Sequence, residues 1–79
     1  MGQSHPLLDQ LYGKMLWSDG NRDRAIRFVK AKARLWSKSF LFSLLSSMYE
    51  LSGDRRLAYK NLVIADYLAR EELKGKEKL

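Results

Sequence analysis

The run Asp19-Gly20-Asn21-Arg22-Asp23 sets side-chain oxygens at alternate positions, which is how a calcium-binding loop begins. Such a loop also needs Gly at its sixth place and a bidentate Glu at its twelfth. Those places hold Arg24 and Lys30, so the run reads as a turn. Asp66, Glu71 and Glu72 are the acids grouped closely enough for a general acid–base pair to be imagined. Asp66 and Arg70 are four apart, however, which is ordinary ion-pair spacing on a helix surface. The single His5 precedes Pro6 and is expected in solvent. With no cysteine there is no thiolate nucleophile, disulfide or thiolate metal site, and no serine has a base or oxyanion signature beside it. These residues imply no enzyme, no cofactor and no metal.

The residue types that remain are suited to holding a partner. Residues 22–38 carry seven cations against the single acid Asp23, a surplus as large as the +6 of the whole chain. On a helix Arg24, Arg27, Arg34 and Lys38 share one side, with Lys30 nearby and Phe28 and Trp36 at the margins. Such a stripe can contact phosphates with aromatic stacking on bases, dock an acidic peptide, or stay in water; no recognised nucleic-acid module accompanies it. A second feature is Tyr59, Val63 and Tyr67 at four-residue spacing, on a different side of the fourth helix from Ala58, Leu62, Ala65 and Leu68. Either the fourth helix packs across the bundle and buries both sides, or this stripe is left for a partner or for self-association.

Positioning these residues requires helices. Apolar spacing of three and four recurs through Leu8, Leu11, Tyr12, Met15 and Leu16; through Ala25, Ile26, Val29 and Ala33; through Leu41, Leu44, Leu45, Met48 and Tyr49; and through the fourth helix. Pro6 suits a first helical turn, and Gly20 and Gly53 suit the left-handed residue that closes a helix. Asn21 and Asp54 can cap the helices that follow, and Ser37 or Ser39 can start the third. The expectation is an all-α fold in one domain, residues 1–79, with helices near 6–19, 22–36, 39–52 and 54–74. These make two tandem helix-turn-helix hairpins, about 6–36 and 39–74, with a basic tail at 75–79. The third helix, apolar on more than one side and eased by Ser43, Ser46 and Ser47, is expected between neighbours.

Seventy-nine residues allow one small domain of marginal stability, and 46% apolar residues suffice for a core. The most apolar stretch, 40–51, is too short and too polar to span a bilayer. No secretory signal is visible, and Met1-Gly2 lacks the Ser or Thr that myristoylation requires, Pro6 standing in its place. A cytoplasmic location is the expectation.

The halves repeat. A shift of 33 residues sets Leu8 on Leu41, Leu11 on Leu44, Met15 on Met48, Gly20 on Gly53, Arg22 on Arg55, Ala25 on Ala58, Val29 on Leu62 and Leu35 on Leu68. This arrangement resembles the tetratricopeptide repeat, a helical hairpin of about 34 residues. The family's small helix-A residue falls on Gly13 and Ser46, and its first helix-B Ala on Ala25 and Ala58. The departures are several. The family's Trp position holds Asp9 and Phe42, its Tyr position Leu16 and Tyr49, its helix-B aromatic Val29 and Leu62, and its closing Pro is replaced by Ser37. An antiparallel four-helix bundle would share part of the pattern.

The resemblance implies a small adaptor or co-chaperone that works by binding another protein, with the first and third helices lining a shallow groove. On this reading Tyr59, Val63 and Tyr67 form the apolar docking face, and Arg24, Arg27 and Arg34 steer acidic groups toward it. The alternative is a small basic helical nucleic-acid-binding protein. A third, weaker reading is a structural subunit whose fourth helix completes a larger assembly.

Overall fold

The computed structural model describes residues 5–77. Its four helices are α1 (Pro6–Ser18), α2 (Arg22–Trp36), α3 (Ser39–Leu51) and α4 (Arg55–Glu77), with no strand among the described residues. The molecule is a slab of 42 × 37 × 16 Å. α2 packs against α1 on one side and α3 on the other, α3 against α2 and α4, and α1 meets α3 only lightly. α1 and α4 do not pack together, nor do α2 and α4, so the hairpins form an open row rather than a closed bundle.

The two hairpin turns are built alike. Gly20 and Gly53 adopt φ of 89° and 87°, the left-handed region open to glycine at no steric cost. The N–H of Asn21 donates to the Leu16 carbonyl and that of Gly20 to the Trp17 carbonyl, satisfying carbonyls that the helix end leaves without partners. Thirty-three residues on, Asp54 donates to Tyr49 and Gly53 to Glu50 in the same pattern. The following caps differ: Asp54 Oδ1 accepts from the Leu57 N–H at 3.1 Å, whereas the Asn21 side chain makes no capping bond. His5 is exposed, as expected, and also caps α1, its Nδ1 accepting from the Leu7 N–H.

The third helix starts differently from expectation. Its N-cap is Lys38, whose side chain offers no acceptor, and Ser39 is the first helical residue. Glu72 of α4 supplies the acceptor instead: its Oε2 takes the Ser39 N–H at 2.9 Å and its Oε1 the Ser39 hydroxyl at 2.7 Å. A carboxylate there also meets the positive end of the helix dipole. α4 continues past the expected stop at 74, so residues 75–77 of the anticipated tail are helical; Lys78 and Leu79 lie outside the described residues. The pairs Asp66–Arg70 and Glu71–Lys74 support the turns that lead into that extension, which runs through Gly75, a poor helix former.

The core joins Leu16, Ala25, Val29, Leu45, Met48, Tyr49 and Ala58, with Ala33, Leu41 and Ala65 also buried. Each large side chain among these contributes about 1.5–3 kcal/mol by leaving water. Two helix faces depart from the sequence expectation. On α1 the buried residues are Asp9, Gly13 and Leu16, while Leu8, Leu11, Tyr12 and Met15 are exposed. The cause is a close approach to α2: a Cβ on Gly13 would overlap the Val29 side chain, so this glycine must face inward. Asp9 follows it inward, where its Oδ2 accepts from Trp36 Nε1 at 2.9 Å and has Lys32 Nζ at 3.8 Å. On α4 the inward residues are Ala58, Asn61 and Ala65. Asn61 takes the place expected of Leu62 because its Nδ2 donates to the Leu57 carbonyl at 2.8 Å, which satisfies it under cover.

Candidate protein-binding surfaces

Among the helices α4 packs against α3 alone, and its helical period therefore leaves a broad side free. That side carries Tyr59, Val63 and Tyr67, which are 71%, 50% and 62% exposed. The crossing that would have buried both stripes is not made. Leu62, displaced from the core, lies beside them. With Ser46, Glu50, Arg55, Ala58 and Tyr59 it lines a shallow hollow of about 260 Å³ along the α3–α4 junction. At its base the Ser46 hydroxyl donates to the Ala58 carbonyl at 2.6 Å, which draws the two backbones close.

The cations do not converge on that stripe. Arg24, Arg27 and Arg34 are all exposed, but they serve different surroundings. Arg34, with Lys30 and Lys60, rims a hollow of about 120 Å³ between α2 and α4, over Phe42, Leu45, Tyr49, Leu57 and Ile64. Arg27 lines a separate hollow with Ile26, Tyr49 and Asp54, and Arg24 lines neither. No carboxylate among the described residues stands within ion-pair distance of Arg24, Arg27, Lys30, Arg34 or Lys60. Lys60 is absent from the sequence-based site. Its neighbour Tyr59 lines the opposite flank of α4, and only the position of α4 across α3 from α2 brings Lys60 to the arginine. The first and third helices do border a hollow, lined by Gln10, Lys14, Phe40, Ser43, Leu44 and Ser47.

The aromatic margins of the basic stripe are engaged elsewhere. Trp36 is bound to Asp9, and Phe28 meets Tyr12 edge-on at a centroid distance of 4.8 Å with Lys32 Nζ 5.5 Å from its ring. Arg22 lies 4.5 Å from the centre of the Trp17 ring, a cation–π contact. The acids are likewise dispersed: Asp66 holds Arg70 at 3.2 Å, Glu71 holds Lys74 at 3.3 Å, and Glu72 caps α3. Among the described residues no three of His, Cys, Asp and Glu come together as a metal-binding group, and no helix is long and apolar enough to cross a membrane. Compared with known protein families, with curated proteins and with solved structures, the chain matches none.

Proposed function

We propose that this chain is a non-enzymatic protein-binding module, a small adaptor or co-chaperone of the tetratricopeptide-like kind working in the cytoplasm. The observation that carries this reading is the Tyr59, Val63, Tyr67 stripe. It lies exposed, with Leu62, on a helix covered from one side alone. Two tyrosines present large, stiff, amphipathic surfaces at small entropic cost, which is what a docking face requires. The occupant that fits is an amphipathic helix laid along α4 with its apolar side inward. Arg34, Lys30 and Lys60, unpaired along the neighbouring hollow, would favour a partner with acidic residues at its edge and speed its encounter.

A photo-crosslinking residue at position 63 tests this in the native host. The expected result is one discrete protein adduct that survives nuclease, is absent with the same probe at position 24, and is lost in Tyr59→Ser/Tyr67→Ser while the circular dichroism spectrum keeps its helical form. Loss of helicity in that variant would instead make the tyrosines part of the core. The unpaired cations also keep a nucleic-acid reading in play, although Phe28 and Trp36 are both held in contacts within the first hairpin. That reading requires binding that falls steeply with salt and vanishes in Arg27→Glu/Arg34→Glu.

A further inference from the structure

The hollow on α4 is a copy of one that is filled elsewhere in the same molecule. Shifting its lining by 33 residues sets Ser46 on Gly13, Ala58 on Ala25, Tyr59 on Ile26 and Leu62 on Val29. In the first hairpin those positions belong to the seat in which α3 lies. Gly13, Ala25 and Val29 are buried and Ile26 half-buried there, and Ala25 and Val29 share the core with Leu45 and Met48 of α3. In the second hairpin no described residue lies in the seat, and Leu62 is 53% exposed where Val29 is fully covered. The helix that fits such a seat presents what α3 presents: Leu41, Leu45 and Met48, spaced four and three, all buried.

One other helix of this chain carries a matching set on its outer face, with Tyr12 also meeting the Phe28 ring edge-on. Thirty-three residues before Leu41, Leu45 and Met48 stand Leu8, Tyr12 and Met15 of α1, each exposed, with Leu11 beside them. α1 turns this face outward because Asp9, Gly13 and Leu16 serve α2. The chain thus carries an empty seat at one end of its row of helices and the matching apolar face at the other. We propose that α4 takes α1 of a second copy of this chain, in the register that α3 takes on α2. This rests on the reading of α4 as a docking face and names an occupant for its Tyr59–Leu62 edge; Val63 and Tyr67 correspond to Lys30 and Arg34, which α3 leaves exposed on α2.

Such a contact is head-to-tail. The two surfaces differ, so a pair of copies still keeps one free seat on one copy and one free face on the other, and the association has no built-in limit at two. Two differences set its strength below that of the internal junction. Asp66 replaces Ala33 at the far end of the seat, where it already holds Arg70. The junction also lacks the covalent connection that keeps α2 beside α3. Association is therefore reversible and rises with concentration.

Sedimentation equilibrium of the full chain, from low micromolar to several hundred micromolar, reads the state directly. The expected result is a mass that climbs past that of one chain as concentration rises. Leu8→Lys/Met15→Lys and Tyr59→Ser/Leu62→Lys should each be a helical monomer throughout, since all four positions are exposed. Mixed in equal amounts, they should form a dimer and nothing larger, because one retains the seat and the other the face. A wild-type chain that stays monomeric at every concentration overturns the proposal. So does association of either variant alone, which would mean α1 meeting α1 or α4 meeting α4, and so does failure of the two folded variants to pair. A monomeric chain that still crosslinks from position 63 to a different protein would leave the docking face standing and remove this occupant.

Discussion

α2 and α4 are the second helices of equivalent hairpins, yet one is covered from two sides and the other from one. Ala25, Val29 and Ala33 on α2 have no exposure at all, whereas their counterparts Ala58, Leu62 and Asp66 run from buried to open along α4. The same asymmetry separates α3 from α1: Leu41 is inaccessible and Leu8 is 61% exposed. Repetition of sequence has given two helices the same apolar face, and position in the row decides which face is used as core. Burial here follows from having a neighbour.

That contrast is broken or sharpened most forcefully at Leu41 and Leu8. Leu41→Ala opens a cavity in a closed site and is expected to cost about 2–5 kcal/mol, enough to abolish folding in a domain this small. Leu8→Ala is expected to stay within about 0.5 kcal/mol, as exposed substitutions do. Urea unfolding of both variants at low protein concentration gives the comparison. Similar losses would mean that α1 rotates its leucines inward. A Leu8→Ala loss that appears only at high concentration would mean that a second copy covers them.

The next contrast is between the small residues at the two helix crossings. Gly13→Ala pushes a methyl into Val29 and should destabilise by about 1–3 kcal/mol, with much of the loss recovered when Val29→Ala makes room. Ser46→Ala keeps the size and loses one hydroxyl bond to the Ala58 carbonyl, a loss of about 1 kcal/mol. Thermal melts of the three single and double variants test this. A tolerated Gly13→Ala would mean that the first hairpin crosses less closely than the second.

Glu72 ties α4 to the start of α3 by capping it, whereas in the first hairpin α2 is tied to the start of α1 by the Trp36–Asp9 bond, which caps nothing. Glu72→Ala leaves the Ser39 N–H and hydroxyl without this acceptor and should cost about 1–2 kcal/mol. Glu71→Ala, which removes only an exposed pair with Lys74, should cost about 0.5 kcal/mol or less. Denaturant midpoints of the two variants separate a cap from a surface pair. Equal midpoints would remove Glu72 from the cap.

These cases also mark what could be read along the chain. The four helices and both glycine turns follow from local rules: apolar spacing near 3.6, a residue free to take positive φ, and an acceptor after it. The face of α1 did not follow, because five apolar residues outweigh Asp9 and Gly13 in any count of hydrophobicity. That face is decided by a contact with Val29 and by a bond to Trp36, 27 residues away. Asn61 outranked Leu62 for a related reason: the bond to Leu57 lets an amide be buried, and hydropathy gives it no credit. The exposed Tyr59, Val63 and Tyr67 could be marked as a second stripe. Whether they were free depended on α4 having no neighbour beyond α3, a fact of topology. Lys60 and Arg34 meet across α3, and no local rule joins them.

The smallest expected difference lies in the two turns, which share their backbone bonds and differ in one side chain. Asp54 Oδ1 accepts from the Leu57 N–H, so Asp54→Ala should cost about 1 kcal/mol. Asn21 makes no such bond, so Asn21→Ala should cost only a few tenths. Because Asp54 is also the only carboxylate in its turn, Asp54→Asn keeps an acceptor while removing the charge near the N-terminus of α4. Retention of most of the stability in Asp54→Asn would assign the effect to the hydrogen bond, and a loss equal to that of Asp54→Ala would assign it to the helix dipole. Amide exchange at Leu57 and at Arg24, its counterpart 33 residues earlier, reads the two turns separately. Faster exchange at Arg24 than at Leu57 in the unmodified chain is the expected sign that the second turn is the better closed. Equal protection would mean that the shared backbone bonds alone hold both.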